Sequence, residues 1–97
     1  WQLAELATQV EAARLLVYQA AWLADHGNPD LGKVAMAKLA ANEAVMRVTT
    51  DVVQLYGGHG YMREHPVERF MRDARVFGIG GGTTHVLKNL IAQGLLR

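Results

Sequence analysis

Glycine and threonine are concentrated in the segment GIGGGTTHVLKN, which begins at Gly78 and leads into the last helical pattern of the chain. Consecutive glycines leave backbone N–H groups accessible, and the first turn of a helix adds N–H groups that have no partner within the helix. The helix dipole favours an anion at the same end. The segment therefore indicates either an anion-binding cradle or a plain flexible turn. It is not a phosphate-binding P-loop, because it lacks the lysine of that motif and no strand precedes it.

A second glycine cluster, YGGHGYMREHP, follows the longest helical pattern. His59 and His65 lie in it, but their irregular loop spacing and the lack of an acidic third ligand do not predict a metal site. The two segments hold seven of the ten glycines of the chain: Gly57, Gly58, Gly60, Gly78, Gly80, Gly81 and Gly82. We therefore expect any functional residues to lie at these interruptions.

Length and composition limit the classes of function. The chain has 97 residues, which allows one domain with a modest core, and a net charge of +1, which argues against a nucleic-acid binder. It has no cysteine, and this excludes disulfides and thiolate zinc sites. No apolar run reaches the roughly 18 residues of a membrane span. We expect no nucleic-acid partner and no membrane span.

The glycine segments interrupt a chain that is otherwise patterned as helix. Apolar residues recur at steps of three and four from Leu3 to Asp25 and from about Leu31 to Tyr56. A short helix should start at Pro66, and a last helix at Thr83 or Thr84, either of which could cap it. Roughly three-quarters of the chain then reads as helix, well above the usual third. The sequence predicts an all-α, antiparallel up-and-down helical bundle.

Several side chains are expected to support this bundle. Glu43 with Arg47 and Glu68 with Arg72 have the spacing of ion pairs on one helix face. The two tryptophans, Trp1 and Trp22, are expected in the core or in an interface.

The segments QLYGGHGYMREHPVERFMRDAR and IGGGTTHVLKNLIA together closely resemble the C-terminal helical domain of the acyl-CoA dehydrogenase family. The upstream segments QVEAARLLVYQAAW and AKLAANEAVMRVTTDVVQLYGG resemble the two preceding helices of that domain, so the resemblance covers essentially the whole chain. The residues that match the family pattern are Gln54, Gly57, Gly58, Gly60 and Tyr61, then Pro66, Arg69, Arg72, Asp73 and Ala74, then Gly82 and Thr83.

The resemblance implies an architecture. Members of the family are homo-oligomers, dimers or tetramers, with an N-terminal helical domain, a middle β domain and a C-terminal four-helix bundle. Residues 1–97 would form a single domain, most of that bundle without its first helix, and both other domains would be absent from this chain.

The resemblance also implies a reaction, the α,β-dehydrogenation of acyl-CoA thioesters in fatty acid β-oxidation. A carboxylate removes the α proton, the β hydrogen leaves as hydride to N5 of FAD, and the electrons pass to electron-transferring flavoprotein. Such enzymes lie in the bacterial cytoplasm or the mitochondrial matrix. The isolated chain is expected to be inactive, because most of the FAD and acyl-CoA pocket would lie elsewhere.

The resemblance assigns roles to both glycine segments. The first would line the adenosine diphosphate part of an FAD held mainly by a neighbouring subunit, and the second would approach FAD in another contact and the substrate. Arg69, Arg72 and Asp73 either contact FAD or a neighbouring subunit, or form a structural ion-pair network. The cofactor-binding residues are Gln54, Leu55, Tyr56, Gly57, Gly58, Thr83 and His85, and the substrate-adjacent residues are Gly81 and Gly82.

Gly81 departs from the commonest family pattern. Many members have the catalytic glutamate immediately before this Gly-Thr, and glycine cannot abstract a proton. The chain is similar here to the isovaleryl-CoA and long-chain subset, which takes its base from an earlier helix. Two interpretations remain: the base lies upstream of this chain, or the protein lacks dehydrogenase activity. No glutamate at a suitable position replaces it, since Glu43, Glu64 and Glu68 have the spacing of surface pairs or lie in a loop.

Other functions remain open beside the dehydrogenase. One is an acyl-CoA oxidase or a nitroalkane oxidase relative on the same scaffold. The other is a non-catalytic helical oligomerisation module, in which the glycine segments are only tight corners.

Overall fold

A computed structural model describes residues 1–97 and confirms the all-α fold class. No strand is present. In chain order the elements are α1 (Gln2–Asp25), α2 (Leu31–Tyr56), α3 (Gly58–Tyr61), α4 (Val67–Ala74), a 3-10 turn (Arg75–Gly78) and α5 (Thr84–Leu95).

The ends of the long helices follow from local chemistry that the sequence displays. After α1, Gly27 adopts φ 72°, a left-handed conformation that ends the helix. The carboxylate of Asp30 then caps α2 by accepting a hydrogen bond from the Lys33 amide at 3.0 Å. At the other end of α2, Gly57 has φ 61°. The predicted bounds of α1 and α2 therefore agree with the structure within one residue.

Two short elements were not predicted. Gly57 alone breaks α2, and the chain re-enters a single helical turn, α3, which includes Gly58 and Gly60. The 3-10 turn follows α4 directly. Pro66 is the residue before α4 and not a member of its first turn. One-turn elements of this kind depend on a few hydrogen bonds and leave no periodic pattern in a sequence.

α2 is the central helix of the bundle. α1 packs along it through the hairpin at residues 26–30, while α4 and α5 pack against other parts of its surface. Small side chains occupy most of the contacts and allow the helices to approach closely. The apolar core consists of Leu6, Ala13, Ala20, Ala35, Ala37, Ala44, Val67, Ala74 and Leu87.

The bundle is elongated and much of its apolar surface is open. Its radius of gyration is 15.5 Å, compared with about 13 Å for a compact domain of this size. α1 buries only Leu6, Ala13 and Ala20, which are seven residues apart and form one narrow stripe. No helix is both long and apolar enough to cross a membrane.

The expectation of a core position for the tryptophans is wrong. Trp1 is 90% exposed and Trp22 is 58% exposed. Trp22 stacks on the imidazole of His26, with the ring centroids 4.0 Å apart. Both lie on α1 or at its start, and α1 has a covering helix along one side only, so their place in an interface stays a prediction.

One predicted ion pair forms and the other does not. Glu68 and Arg72 pair at 2.7 Å on α4, as expected. Arg47 turns away from Glu43 and instead lies 3.5 Å from Glu5 of α1 and 3.6 Å from Asp51. The packing of α1 beside α2 brings Glu5 within reach, which the spacing along α2 alone does not reveal.

The Glu68–Arg72 pair makes α4 sensitive to acid. The hydrogen bond from Arg72 holds the pKa of Glu68 below its ordinary value of 4.5. A lowered folded-state pKa stabilises the fold above the ordinary value, and this stabilisation is lost as the pH falls through the lower one. We expect Glu68→Gln to flatten the decline of the unfolding temperature below about pH 4.5. Glu64→Gln, which removes a carboxylate without an ion pair, should keep the wild-type slope; equal slopes in all three proteins would contradict the prediction.

Candidate functional site

The loop between the 3-10 turn and α5 is held close to the bundle. The amides of Ile79 and Gly80 both donate to the carbonyl of Val76, at 3.0 and 2.7 Å. Gly81 and Gly82 then adopt φ 71° and φ 105°, values that L side chains rarely take. A Cβ on Gly82 would lie 3.3 Å from the side chain of Leu87. The glycine run is therefore a built corner that packs on α5 and not a loose turn.

Thr83 is the residue that caps α5. Its hydroxyl accepts a hydrogen bond from the amide of Val86 at 3.4 Å, and its backbone is extended. Thr84 is the first residue of the helix, so the structure decides between the two candidates. Amides of the first turn have no partner within the helix, and they face the end at which the glycine corner lies.

A cleft of about 640 Å³ lies between α2 and the start of α5. Thr83 and His85 both line it, so the structure brings together the two residues of the second glycine segment that were predicted to bind the cofactor, whereas Gly81 and Gly82, predicted beside the substrate, do not line the cleft. Polar side chains of α2 form the opposite wall. The lining residues are Asn42, Glu43, Met46, Arg47, Thr50, Asp51, Arg75, Gly78, Ile79, Thr83, Thr84 and His85.

Sequence reasoning missed a polar pair on α2 beside this corner. Asn42 is only 5% exposed, and its Oδ1 accepts a hydrogen bond from Nζ of Lys38 at 3.2 Å. Its Nδ2 is buried and has no partner. The available signal was the position of asparagine in AKLAANEA, where alanines otherwise form the helix contact. A buried amide without a partner is uncommon and calls for an explanation.

The first glycine segment lies apart from the cleft. Gln54, Leu55 and Tyr56 form the exposed last turn of α2, and none of the residues from 54 to 58 lines the cleft. A Cβ on Gly57 or Gly58 would have open space around it. The structure thus separates the predicted cofactor-binding residues into two sets, as expected of two different contacts.

The side chains that follow this segment form a small ring cluster. His65 lies edge-on to His59, with the centroids 5.4 Å apart, and 6.0 Å from the ring of Tyr56. No group of three or more metal-binding side chains occurs in the structure. The cluster therefore consists of ring contacts around an open backbone segment.

The Thr83 cap should be measurable by itself. We expect Thr83→Ala to destabilise α5 by about 1 kcal/mol and to speed hydrogen exchange of the Val86 amide, because that amide loses its acceptor. Thr84→Ala is the matched control, since the Thr84 side chain caps nothing and should cost less than about 0.5 kcal/mol. If both variants speed exchange equally, Thr83 is not the cap.

Comparisons with known proteins agree with the fold and the residue pattern. Residues 1–96 match the family model described as acyl-CoA dehydrogenase, C-terminal domain. The chain is 50% identical over 98 residues to the probable acyl-CoA dehydrogenase FadE25 of Mycobacterium tuberculosis, covering 100% of this chain and 25% of that protein. It is 46% identical over 96 residues to the 3-sulfinopropanoyl-CoA desulfinase of Paraburkholderia xenovorans, covering 99% of this chain and 24% of that protein.

A solved structure gives the same result in three dimensions. Butyryl-CoA dehydrogenase of Megasphaera elsdenii superimposes with a TM-score of 0.95 at 46% identity, over 98% of this chain and 25% of that one. The chain therefore spans about a quarter of the length of the relatives it matches. The chain belongs to the acyl-CoA dehydrogenase family, as a C-terminal helical domain of that family.

Proposed function

We propose that the full-length protein containing this chain is an FAD-dependent acyl-CoA dehydrogenase, and that residues 1–97 are one domain that contributes cofactor and oligomer contacts. The N-terminal helical domain, the middle β domain and the first helix of the bundle would lie elsewhere in the full-length protein. The observation that carries the proposal is the capped start of α5, which directly follows the glycine corner and where Thr83 and His85 line one polar cleft.

The residues present fit a flavin nucleotide. A pyrophosphate or ribitol group needs hydrogen-bond donors that a close backbone can supply, and the free amides at the start of α5 are such donors. Gly82 cannot carry a side chain without meeting Leu87, so its backbone lies close to α5. The open segment from Gln54 to Gly58 provides the second contact, toward a cofactor held mainly by a neighbouring subunit.

When bound, FAD supplies a two-electron acceptor for the hydride that leaves the β carbon of the thioester. The residues of this chain would bind and orient the cofactor and the substrate. Thr83 and His85 would hold the polar part of the cofactor, and Gly81 and Gly82 would let the acyl group approach the backbone closely. The corner also keeps α5 in place through its contact with Leu87.

The base that takes the α proton must come from outside this chain. Gly81 has no side chain, and Glu43 lines a cleft that neither Gly81 nor Gly82 lines. Glu68 is held by Arg72 on α4. We propose that a carboxylate upstream of this chain is the catalytic base, as in the isovaleryl-CoA and long-chain subset that the chain resembles at Gly81.

Gly81 also supports a second candidate, a family member that does not dehydrogenate. The 3-sulfinopropanoyl-CoA desulfinase among the relatives is named for a different reaction on a CoA thioester. The flavin absorbance experiment at the end of this subsection separates the two candidates.

The exposed apolar surface of α1 supports the proposal that this chain contacts other subunits or domains. Leu15, Tyr18 and Trp22 are exposed on the side of α1 away from its buried stripe, and a homo-oligomer, a dimer or tetramer, would cover such a surface together with the other domains. Electron-transferring flavoprotein is the proposed electron acceptor in fatty acid β-oxidation. The location is proposed as the bacterial cytoplasm or the mitochondrial matrix.

The test is an anaerobic absorbance spectrum of the full-length protein before and after addition of straight and branched acyl-CoA thioesters. We expect the oxidised flavin band to bleach with at least one thioester, and the isolated residues 1–97 to show neither flavin nor bleaching. A flavoprotein that no thioester bleaches would favour the second candidate. Rapid reoxidation of the reduced flavin by oxygen would indicate an oxidase, and a protein that never retains flavin would be an oligomerisation module.

A further inference from the structure

Lys38 extends from the middle of α2 onto the glycine corner. Its Nζ lies 5.7 Å from the ring centroid of Phe77, in the 3-10 turn, and 3.2 Å from Oδ1 of Asn42. A Cβ on Gly81 would lie 3.6 Å from Cε of Lys38 and 3.8 Å from its Nζ. The ammonium group is therefore the side-chain group that occupies the neighbourhood of the missing side chain at position 81.

The charge of Lys38 is left uncompensated within this chain. The four ion pairs of the structure involve Arg14, Arg47 and Arg72 and never this lysine. Its partners are a neutral amide oxygen and an aromatic ring, although the side chain is half-buried. Withdrawal of a cation from water without a counter-charge is unfavourable, so a partner is expected.

Asn42 fixes the position of the Lys38 ammonium group. An ammonium group only donates, so the amide oxygen must face Lys38 and the Nδ2 group must point elsewhere. That Nδ2 is buried and has no acceptor. The buried Nδ2 therefore cannot reach a ligand beside Gly81, and the N–H groups of Lys38 that Asn42 leaves free are the donors that match the acceptor oxygens of a carboxylate.

We infer that Lys38, held in place by Asn42, forms a carboxylate-binding site beside Gly81, an inference that rests on the proposed function. Glycine at position 81 has no side chain that could pair with the ammonium group, so the cation attracts an acidic group from elsewhere. The carboxylate has two possible sources: the far end of an acidic acyl chain, which makes Lys38 a specificity residue, or the upstream base, which makes Lys38 the residue that positions it.

The experiment compares Lys38→Met, which keeps the aliphatic stem, with Lys38→Arg, which keeps the charge, in the full-length protein. Glutaryl-CoA and the neutral pentanoyl-CoA are titrated by calorimetry, with the flavin reduced in advance by dithionite so that no dehydrogenation occurs. If the substrate supplies the carboxylate, Lys38→Met weakens glutaryl-CoA binding about tenfold and leaves pentanoyl-CoA binding unchanged. Lys38→Arg should bind both thioesters as the wild type does.

If the protein supplies the carboxylate, Lys38→Met leaves the binding of both thioesters unchanged. The pH dependence of flavin reduction shifts instead. Lys38→Met then raises the apparent pKa for anaerobic flavin reduction by pentanoyl-CoA by about one pH unit, because a carboxylate without its cation holds its proton more tightly. Lys88→Met, on the exposed side of α5, is the control and should alter neither measurement.

The inference is overturned if Lys38→Met changes neither the binding ratio nor the pH profile. It is also overturned if Lys38→Met and Lys38→Gln both fail to fold while Lys38→Arg folds, since the charge would then be structural. A wild-type protein that pentanoyl-CoA and other thioesters cannot reduce contradicts the proposed function separately. In that case the calorimetric comparison of Lys38→Met with the wild type, which needs no turnover, tests the inference by itself.

Discussion

Alanine at position 60 is expected to destabilise the fold by about 3 kcal/mol, the largest effect that we predict for a single methyl group. Gly60 is buried, and a Cβ there would lie 2.4 Å from the carbonyl oxygen of Val53 and 2.9 Å from Cβ of Tyr56. Both contacts are with the last turns of α2, and a backbone carbonyl cannot rotate away as a flexible side chain can. The open segment that begins at Gln54 would shift with them.

Urea unfolding and flavin content of the full-length protein measure this prediction together. We expect Gly60→Ala to lose both stability and bound flavin. Gly94→Ala is the matched control, because a Cβ there meets nothing within 4 Å inside α5. Gly94 lies in the last turn of α5, so that change should leave the free energy of unfolding within about 0.5 kcal/mol of the wild-type value. Wild-type stability of Gly60→Ala would show that α3 does not pack this closely on α2.

Gly82→Ala is expected to reduce acyl-CoA-dependent flavin bleaching at least about tenfold and to destabilise the fold by about 2 kcal/mol. The substitution meets two obstacles, a φ of 105° and a Cβ that would lie 3.3 Å from Leu87. To relieve the backbone strain or the contact with Leu87, the corner must move away from α5. The hydroxyl of Thr83 and the amides beside it then move as well. Since these groups are the proposed cofactor contacts, flavin affinity should fall as well.

Flavin affinity must be measured at a temperature where the variant is still folded, so that the two effects remain separate. The control for stability is Gly78→Ala, in the same glycine-rich segment, where a Cβ meets nothing within 4 Å and φ is not positive. Its free energy of unfolding should lie within about 0.5 kcal/mol of the wild-type value. Normal flavin affinity in folded Gly82→Ala would remove this corner from the cofactor site.

Local signals were enough to predict the longer helices, though not α3 or the 3-10 turn. The bounds of α2 match because Asp30 and Gly57 each act on the backbone beside them, and capping and positive φ need no distant partner. The same holds for the cap of α5, where both candidate threonines were adjacent in the sequence. The glycines at the corner were likewise sufficient to predict an interruption of the helices, and Gly81 and Gly82 have φ 71° and 105°, values that other residues rarely adopt.

Tertiary packing decided which side chains meet. Arg47 pairs with Glu5 across 42 positions of the chain, and Lys38 reaches the corner at Gly81, because α1 and the loop before α5 both lie against α2. Helical periodicity places a residue on a face but does not say which neighbour covers that face, so the exposure of Trp22 was not predictable either. The residue type at position 81 was readable from the chain itself, whereas the cation that faces it follows from the fold, since such contacts join residues far apart in the sequence.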